Sequence, residues 1–547
     1  MDKINNVSGL SQISPVSIKK TEVAKGDSPA SKGDSVTISG RSIADEKPLL
    51  TTGKSSSPAQ EQAEKDGACT ITPEKEKHPS TILDMSHESG QAGAVKNIEE
   101  PKPHVDARNA RVIEKAFDIL KGNRMTIEGH TFTTPSKVVD QTVNYEGKQW
   151  LWDSCFHAMV LSEREPGTAK EELRSVVANQ HPDGFIPHMN YFRGDAQQLS
   201  PDQKEAFENF LKTPDGADVP QGEREKFANT FWSYKDHSDI TQPPILGSAV
   251  EEVYKATGDK AFVKEMLPAM KAYYNYLHDK RDPDGDNLIS IIHQWESGWD
   301  HSQRWDETIG VENGDKMHIN QKKCDVLSKC KKVGWDLDKI FENDSFNVEP
   351  VDFNTLYALN MESLSNLCGE VGDKEGEKLY KSRANATSKA IFKKMWDGDK
   401  YVDLHGKNEK KSDVKSAAMF YPMMLDGEKH GKHLIEKHLM NPDEFNTKHT
   451  IPTTSIDDPL FSGGEYWRGN VWTNVNFFVW KGLQKFQEKN PGYKPAQIMA
   501  NRIKDSAFEL LDTAGFSEYF DPQKGNGHGA KSFGWNGIVR LMEPDYK

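Results

Sequence analysis

The sequence predicts an all-α fold of stacked helical hairpins from residue 106 to residue 547. Apolar residues recur at helical spacing in this region, whereas the alternation typical of strands is sparse. A helix stop followed at once by a helix start occurs at 256–260 and at 370–374, where a glycine ends one helix and an aspartate caps the next. Such units, at intervals of about forty residues, indicate helical hairpins packed side by side.

Four stretches have one apolar face at helical spacing and are predicted to be helices. The first is expected to end at Gly122 and the last near Trp396. Long loops between the helices carry the aromatic and polar motifs. The positions that define the four helices are Val112, Ala116, Ile119 and Leu120; Phe262, Met266, Met270, Tyr273 and Leu277; Leu356, Leu359, Leu364 and Leu367; and Ala390, Ile391, Lys394 and Met395.

Residues 1–105 differ in composition and are predicted to form a disordered N-terminal tail. They are rich in Ser, Lys, Glu, Gly and Pro and contain no aromatic residue. Such a segment cannot bury enough apolar surface to offset the entropy of ordering it. The tail is interpreted as a solubilising extension of a cytoplasmic protein. Alternatively it is an address for export by a non-classical route, because its Ser/Asn-rich start resembles that of some bacterial secreted effectors.

Composition excludes several classes of partner. The formal net charge is −14 without a long Lys/Arg run, which argues against nucleic acids and anionic membranes. The five cysteines are scattered, so neither a disulfide framework nor a zinc site is expected. No apolar run is long enough to span a bilayer, and the N-terminus lacks the apolar core of a secretory signal. The expected partner is a small molecule, and no particular oligomeric state is indicated.

The densest cluster of aromatic and ionisable residues is the segment 295–305, Trp-Glu-Ser-Gly-Trp-Asp-His-Ser-Gln-Arg-Trp. Gly298 lets the backbone bend just before Asp300 and directs the acid out of the turn. An acid among aromatic rings is partly desolvated, which raises its pKa and suits it to donate a proton near neutral pH. The alternative is an aromatic core corner whose acids cap neighbouring backbone.

Seven further loops combine an aromatic residue with a polar side chain beside Gly or Pro. Aromatic residues are costly on the surface, so aromatic loops tend to line a pocket. Aromatic faces with amide and carboxylate hydrogen bonds suit sugar rings, whose faces are apolar and whose rims are hydroxylated. One such loop is usually a packed turn, but eight in one chain predict a carbohydrate site. The seven are 149–154, 180–188, 241–244, 350–354, 463–472, 518–522 and 533–536.

Several of these motifs, in this order, resemble glycoside hydrolase family 63, especially its bacterial mannosylglycerate and glucosylglycerate hydrolase branch. The chain is also similar to the trehalases of a related family. The likeness extends from about Ala107 to the end. The residues that carry it are Trp152-Asp153-Ser154, Gln180-His181, 183–188, Gln242-Pro243-Pro244, 297–300, Tyr466-Trp467-Arg468-Gly469, Glu518-Tyr519 and Phe533-Gly534-Trp535.

The resemblance implies an (α/α)6 toroid with its site in a central funnel and inverting hydrolysis of α-glycosidic bonds. Inversion needs a protonated carboxyl at the leaving oxygen and an ionised carboxylate that activates water on the opposite face. By resemblance, Asp300 matches the general acid and Glu518 the general base. Both could instead be structural capping acids, and the competing carboxyl groups are those of Glu296, Asp306, Glu465 and Asp521.

Other loop residues are candidates for sugar binding. Trp150 and Trp535 are interpreted as core residues instead. The candidates for stacking are Trp152, Trp295, Tyr466, Trp467 and Trp472, and those for hydroxyl binding are Asp153, His181, Gln242 and Arg468. A Lys-rich stretch between Ile309 and Val348, including 321–324, departs from the family and leaves the leaving group open.

No cofactor and no catalytic metal are predicted, because two carboxyl groups suffice for the chemistry. Asp282, Asp284 and Asp286 alternate as in a calcium loop. The spacing of an EF-hand fails, so a capped turn is favoured over a structural calcium site. The predicted function is an inverting α-glycosidase acting on a small glucoside or mannoside. The alternatives are a trehalase and a non-catalytic carbohydrate-binding protein.

Overall fold

A computed structural model describes residues 106–138, 145–311, 318–426, 429–544 and 546. The predicted tail at 1–105 lies outside the described residues, so its disorder stays a prediction. In the described ranges the α-helices are α1 Ala107–Asn123, α2 Leu151–Leu161, α3 Pro166–Val176, α4 Pro201–Phe210, α5 Pro214–Ala217, α6 Arg224–Asn229, α7 Leu246–Thr257, α8 Lys260–Lys280, α9 Asp306–Ile309, α10 Ile319–Lys332, α11 Leu337–Asn343, α12 Val351–Glu370, α13 Lys374–Ala390, α14 Gly431–His433, α15 Thr473–Lys489 and α16 Lys494–Thr513.

Tighter and wider helical segments complete the helical part of the fold. The 3₁₀ segments are Gln294–Ser297, Gln303–Trp305, Ala417–Met424 and Gly534–Met542, and the π-helical segments are Ile391–Met395 and Leu434–Leu439. The strands are short: β1 Arg124–Ile127, β2 His130–Thr133, β3 Gln149–Trp150, β4 Met189–Asn190, β5 Val348–Glu349, β6 Leu404–His405, β7 Lys410–Lys411, β8 Tyr519–Phe520 and β9 Gly527–His528. They form small antiparallel sheets in the orders β1-β2, β3-β4, β5-β6-β7 and β8-β9.

Six helical segments form a closed inner ring. In order they are α2, α7, α12, Ala417–Met424, α15 and Gly534–Met542; each contacts the next, and the last contacts α2. Every residue of α2 and of Ala417–Met424 is buried. A helix surrounded by other helices carries few polar residues, and those of α2, namely Asp153, Ser154 and His157, are themselves buried.

An outer layer of helices surrounds that ring. Helices α3, α8, α13, α16 and α1 each contact an inner segment, and Leu434–Leu439 follows the fourth inner segment and contacts α16. The last pair of the ring consists of Gly534–Met542 and α1, which come from opposite ends of the described region. Their contact closes the ring. Six hairpins in this arrangement make an (α/α)6 toroid, which confirms the fold implied by the resemblance.

The predicted helices are present. The face of α8, from Phe262 to Leu277, is buried as expected. Gly258 ends α7 in the left-handed conformation, and Asp259 and Asp373 cap the following helices through their side chains. The prediction that α1 ends at Gly122 is wrong, because the helix continues to Asn123. The Asn123 amide is held there by the carbonyls of Pro135 and Ser532.

A second, smaller core lies beside the ring. Helix α10 packs on α4, and apolar residues from both helices join Phe231, Trp232 and Ile340 in one buried cluster. The Lys-rich stretch of the sequence analysis is therefore partly helix α10, whose apolar face is covered by α4. In the part of the chain that the structure describes, no helix combines the length and apolarity needed to cross a bilayer.

Candidate active site

A cavity of about 560 Å³ lies where the inner segments begin. Its walls come from loops that lead into these segments: Trp150 precedes α2, Gln242 precedes α7 and Tyr466 precedes α15. One wall comes from the second core through Gln203 of α4 and Lys323 of α10. The remaining lining residues are Tyr145, His188, Met189, Tyr191, Phe231, Trp232, Trp295, Asp300, His301, Glu518, Tyr519 and Gly529.

Asp300 is held by a tight turn after the segment Gln294–Ser297. Gly298 ends that segment with φ of 75°, and a Cβ at this position would lie 2.5 Å from the ring of Trp152. Only glycine fits such a backbone and such a close approach. The Trp299 carbonyl accepts a hydrogen bond from the indole of Trp305 at 2.8 Å. These contacts fix the backbone on the N-terminal side of Asp300.

Burial raises the pKa of Asp300 to about 6, and the nearby Lys323 ammonium opposes that rise. Burial also lowers the pKa of Lys323 to about 8, and the charge of Asp300 works against the decrease. The Lys323 Nζ lies 5.5 Å from the centre of the Trp295 ring. Asp300 is therefore a carboxyl that can carry a proton near neutral pH, beside a buried cation.

Glu518, in contrast to Asp300, is surrounded by several hydrogen-bond donors. The Ala530 N–H donates to Oε2 at 3.0 Å, and the hydroxyls of Tyr145 and Tyr466 donate to Oε1 at 2.9 and 3.4 Å. Donors of this kind favour the ionised carboxylate. The antiparallel pair β8-β9, with Tyr519 opposite His528, orients the strand that follows Glu518.

The pKa values alone do not assign acid and base. Burial raises the pKa of Glu518 to about 7, and the charge of Asp300 adds to the rise. The hydrogen bonds distinguish the two groups: three donors stabilise ionised Glu518, whereas none of the described side chains donates a hydrogen bond to Asp300. The hydrogen bonds therefore favour Glu518 as the ionised carboxyl, because donors select the ionised form directly whereas burial acts on both carboxyls alike.

A column of aromatic rings lies beneath the two carboxyls. Trp467 stacks on Trp472, with ring centroids 3.5 Å apart, and on Trp299 at 5.3 Å. Trp472 in turn stacks on Tyr519 at 4.9 Å. The column thus joins the chain neighbour of Asp300 to the chain neighbour of Glu518. Trp467 and Trp472 are buried and support the cavity from below rather than line it.

Arg468 also acts from beneath the cavity. Its guanidinium makes two hydrogen bonds to Asp306, at 2.9 and 2.6 Å, and one to the carbonyl of His301 at 3.2 Å. Arg468 and Asp306 are both buried. The pair therefore positions the backbone on the C-terminal side of Asp300.

Trp152, Asp153 and His181 do not line the cavity. Trp152 is buried against Gly298. Burial raises the pKa of Asp153 well above its ordinary range, and the charges of Glu518 and Asp300 add to the rise, so Asp153 lies in their electrostatic field. His181 lines a different cavity of about 390 Å³, where its Nε2 lies 2.8 Å from that of His237.

The competing carboxyls have structural partners or lie elsewhere. Glu296 accepts two hydrogen bonds from buried Arg281, at 2.9 and 2.7 Å. Asp306 binds Arg468 as described, and Asp521 accepts the backbone N–H groups of Gln523 and Lys524. Of the described residues that line the cavity, Asp300 and Glu518 provide the carboxyl groups.

Several lining residues were not predicted. Tyr145 belongs to none of the aromatic motifs, and Lys323 lies in the Lys-rich stretch that departs from the family. Neither residue could therefore be predicted from the sequence. Trp150, interpreted as core, lines the cavity, whereas Trp535 is buried as expected. The one sequence signal for Trp150 was its position two residues before Trp152-Asp153-Ser154, a motif that carries the resemblance to the family.

The acidic turn lies apart from the cavity lining. Asp282 accepts hydrogen bonds from the backbone N–H groups of Asp286 and Asn287, both at 3.0 Å. Asp286 also forms an ion pair with Lys394 at 2.5 Å. These bonds are those of a capped turn. The absence of a catalytic metal stays a prediction.

Comparison with known proteins places the chain in a family. Residues 145–536 match the mannosylglycerate hydrolase MGH1-like glycoside hydrolase domain. A mannosylglycerate hydrolase of Rubrobacter radiotolerans is 28% identical, covering 72% of this chain and 90% of that protein. One from Thermus thermophilus is 26% identical over 72% and 93%. A probable trehalase of rice is more distant, at 20% identity over 55% and 61%.

Solved structures show the same fold. A family 63 mannosylglycerate hydrolase from Thermus thermophilus, in complex with glucose, superposes with a TM-score of 0.63 at 24% identity. The match covers 79% of this chain and all of that one. The chain is a glycoside hydrolase and belongs to the mannosylglycerate hydrolase-like members of glycoside hydrolase family 63.

Proposed function

We propose that the chain is an inverting α-glycosidase that acts on a small α-mannoside or α-glucoside whose leaving group carries a carboxylate, such as a glycosylglycerate. The observation that carries this proposal is the pair of carboxyls in one cavity, Glu518 with three donors and Asp300 without a side-chain donor. Asp300 protonates the leaving oxygen, and Glu518 activates the water that attacks the anomeric carbon from the opposite face.

The buried ammonium of Lys323 is the reason for proposing a leaving group that carries a carboxylate. When Asp300 carries its catalytic proton it is neutral, and the buried ammonium of Lys323 loses its partner. An unpaired buried charge is costly, so a substrate carboxylate that pairs with Lys323 is favoured in that state. The histidines of the cavity cannot provide the positive charge instead of Lys323. Burial lowers the pKa of His188 and of His301 to about 3 and leaves both rings neutral.

Hydrolysis assays on matched substrates test the leaving group. Wild type is compared with Lys323→Met and with the control Lys322→Met, whose side chain is not part of the lining. Loss of a hydrogen bond to a charged group costs about 1.5–3 kcal/mol, so KM for mannosylglycerate or glucosylglycerate should rise about 10–100-fold in Lys323→Met only. KM for methyl α-mannoside and trehalose should not change. An equal rise on charged and neutral substrates would reject the carboxylate contact.

The stereochemistry is tested separately by proton NMR of the first product. An inverting enzyme releases the β-anomer first, because water attacks opposite the leaving group. Initial release of the α-anomer would indicate retention and reject the roles of both carboxyls. Trehalose as the preferred substrate would favour the trehalase alternative, and tight sugar binding without turnover would favour the binding-protein alternative.

A further inference from the structure

We propose that Asp399, His433 and His438 form a binding site for one divalent transition-metal ion, outside the cavity of the two carboxyls. Nε2 of His433 lies 2.8 Å from Asp399 Oδ1, and Nε2 of His438 lies 3.3 Å from the same oxygen. One candidate ligand atom from each residue lies within 4.8 Å of the other two.

The π-helical segment Leu434–Leu439 explains why the two histidines meet. A π-helix makes i→i+5 hydrogen bonds, so residues five apart lie on successive turns of one face. His433 immediately precedes the segment and His438 lies five residues later. Asp399 reaches them from the turn after the segment Ile391–Met395. Single π turns of this kind often occur at functional sites.

The hydrogen bonds of His438 point to a cation. Its Nδ1 lies 2.7 Å from Oε2 of Glu444, and a carboxylate only accepts, so Nδ1 carries the proton. In a neutral ring Nε2 is then an acceptor, yet it faces the carboxylate of Asp399. Two acceptors in that position repel unless a cation, or a second proton, lies between them. A carboxylate behind a metal-binding histidine is the usual arrangement in such sites.

The donor set selects the class of ion. Two imidazole nitrogens and one carboxylate oxygen suit Zn²⁺, Co²⁺ or Ni²⁺ better than Ca²⁺ or Mg²⁺. His438 is buried, whereas His433 and Asp399 are partly exposed and leave room for water ligands. The exposed Lys437 also donates to Asp399 Oδ1, and a divalent ion would displace that ammonium.

Such an ion would tie together the least regular hairpin of the ring. The inner segment of this hairpin is a 3₁₀ helix, its outer segment is π-helical, and Asp399 lies in the preceding hairpin connection. None of the three ligands lines the catalytic cavity. The site is therefore expected to stabilise the fold and to leave glycoside turnover unchanged.

Titration of the full-length, metal-stripped protein tests the site. Calorimetry with ZnCl₂ and the visible spectrum of added Co²⁺ should show one site in wild type and in the control His430→Gln, whose ring stacks on Trp396. His433→Asn and His438→Gln should lose it. Glu444→Gln should bind about 10–100-fold more weakly, as expected for a residue that orients a ligand. Zn²⁺ should raise the Tm of wild type but not of His433→Asn.

The competing explanation is an imidazolium of His438 between two carboxylates. In that case nitrogen NMR would show both ring nitrogens of His438 protonated at neutral pH, and Zn²⁺ would bind wild type and His433→Asn equally or not at all. Either result would overturn the proposal. Because His433 is partly exposed, its variant keeps the test valid even if His438→Gln fails to fold.

Discussion

Gly529 lies so close to Glu518 that a Cβ on residue 529 would stand 2.4 Å from Oε2. Gly529→Ala should therefore displace the carboxylate and lower kcat, because the side chain must turn away from its donors. The backbone there has φ of 66°, so strain of about 1 kcal/mol is also expected.

A matched control separates these two effects. Gly258 has nearly the same φ, 64°, but a Cβ added there would meet open space. Gly258→Ala should lose only the stability that the backbone strain costs, as measured by thermal unfolding, and keep its turnover. Equal turnover in the two alanine variants would show that Gly529 does not position the carboxylate.

The roles of the two carboxyls can be told apart by the leaving group. Asp300→Asn removes the proposed proton donor, so hydrolysis of a glycosylglycerate should slow by about 10²–10⁴-fold while binding survives. A glycosyl fluoride needs little protonation, so Asp300→Asn should hydrolyse it at a rate close to that of wild type. Glu518→Gln should be slow on both substrates. The reverse pattern would exchange the acid and base assignments, and loss of folding in Asp300→Asn would favour a structural acid.

The pH dependence follows from the same pair. Wild type should show a bell-shaped profile with limbs near pH 6 and pH 7, which belong to the pair rather than to single residues. In Asp300→Asn, assayed with the fluoride, Glu518 titrates without its partner. As the proposed base it is active when ionised, so the rate should rise with pH to a plateau. The midpoint should lie below about 7, because the charge of Asp300 that raises the pKa of Glu518 is gone.

Adding Tyr145→Phe to that variant removes a donor to ionised Glu518. The pKa of Glu518 then rises, and the midpoint should move to higher pH. Tyr466→Phe is the graded control, since its bond of 3.4 Å is longer than the 2.9 Å bond of Tyr145 and its shift should be smaller. A shift to lower pH in either variant would contradict the proposed hydrogen bonds.

Arg304 should matter for stability rather than for chemistry. Its buried guanidinium binds Asp352 and Asp403 through four hydrogen bonds of 2.6–3.0 Å. Arg304→Met leaves two buried carboxylates without their cation and should cost about 3–5 kcal/mol in chemical denaturation. Arg174 and Glu265 form an equally short but half-exposed pair, so Arg174→Met should cost at most about 1 kcal/mol. Similar losses in both would contradict the burial argument.

Local patterns predicted the helices well but not their closure. The apolar face of α8 and the caps at Asp259 and Asp373 depend on neighbouring residues, so the sequence carries them directly. Contact between α2 and Gly534–Met542 joins residues almost four hundred positions apart, and no local pattern encodes it. The resemblance to a family provided the six-fold ring.

The site divides in the same way. Asp300 and Glu518 belong to aromatic motifs, which made them visible, and both line the cavity. Lys323 and Tyr145 reach the cavity only through contacts between distant parts of the chain, so no local motif predicts them. Arg468 and Trp472 were predicted to touch sugar because polar and aromatic side chains in loops suggest a pocket. The structure buries both residues beneath the cavity. There Arg468 forms an ion pair with Asp306, and Trp472 stacks on Trp467.

The hairpin that joins α1 to Gly534–Met542 has a consequence for how the enzyme is made. Asn536 in this last segment donates to the carbonyl of Ser517 at 2.7 Å, next to Glu518. During synthesis on the ribosome, Glu518 therefore gains this support only after the segment Gly534–Met542 has emerged. A nascent chain that already holds Asp300 in its turn would remain inactive until its C-terminal segment docked. Activity would then report synthesis through this segment, since any product stalled before it lacks the support for Glu518.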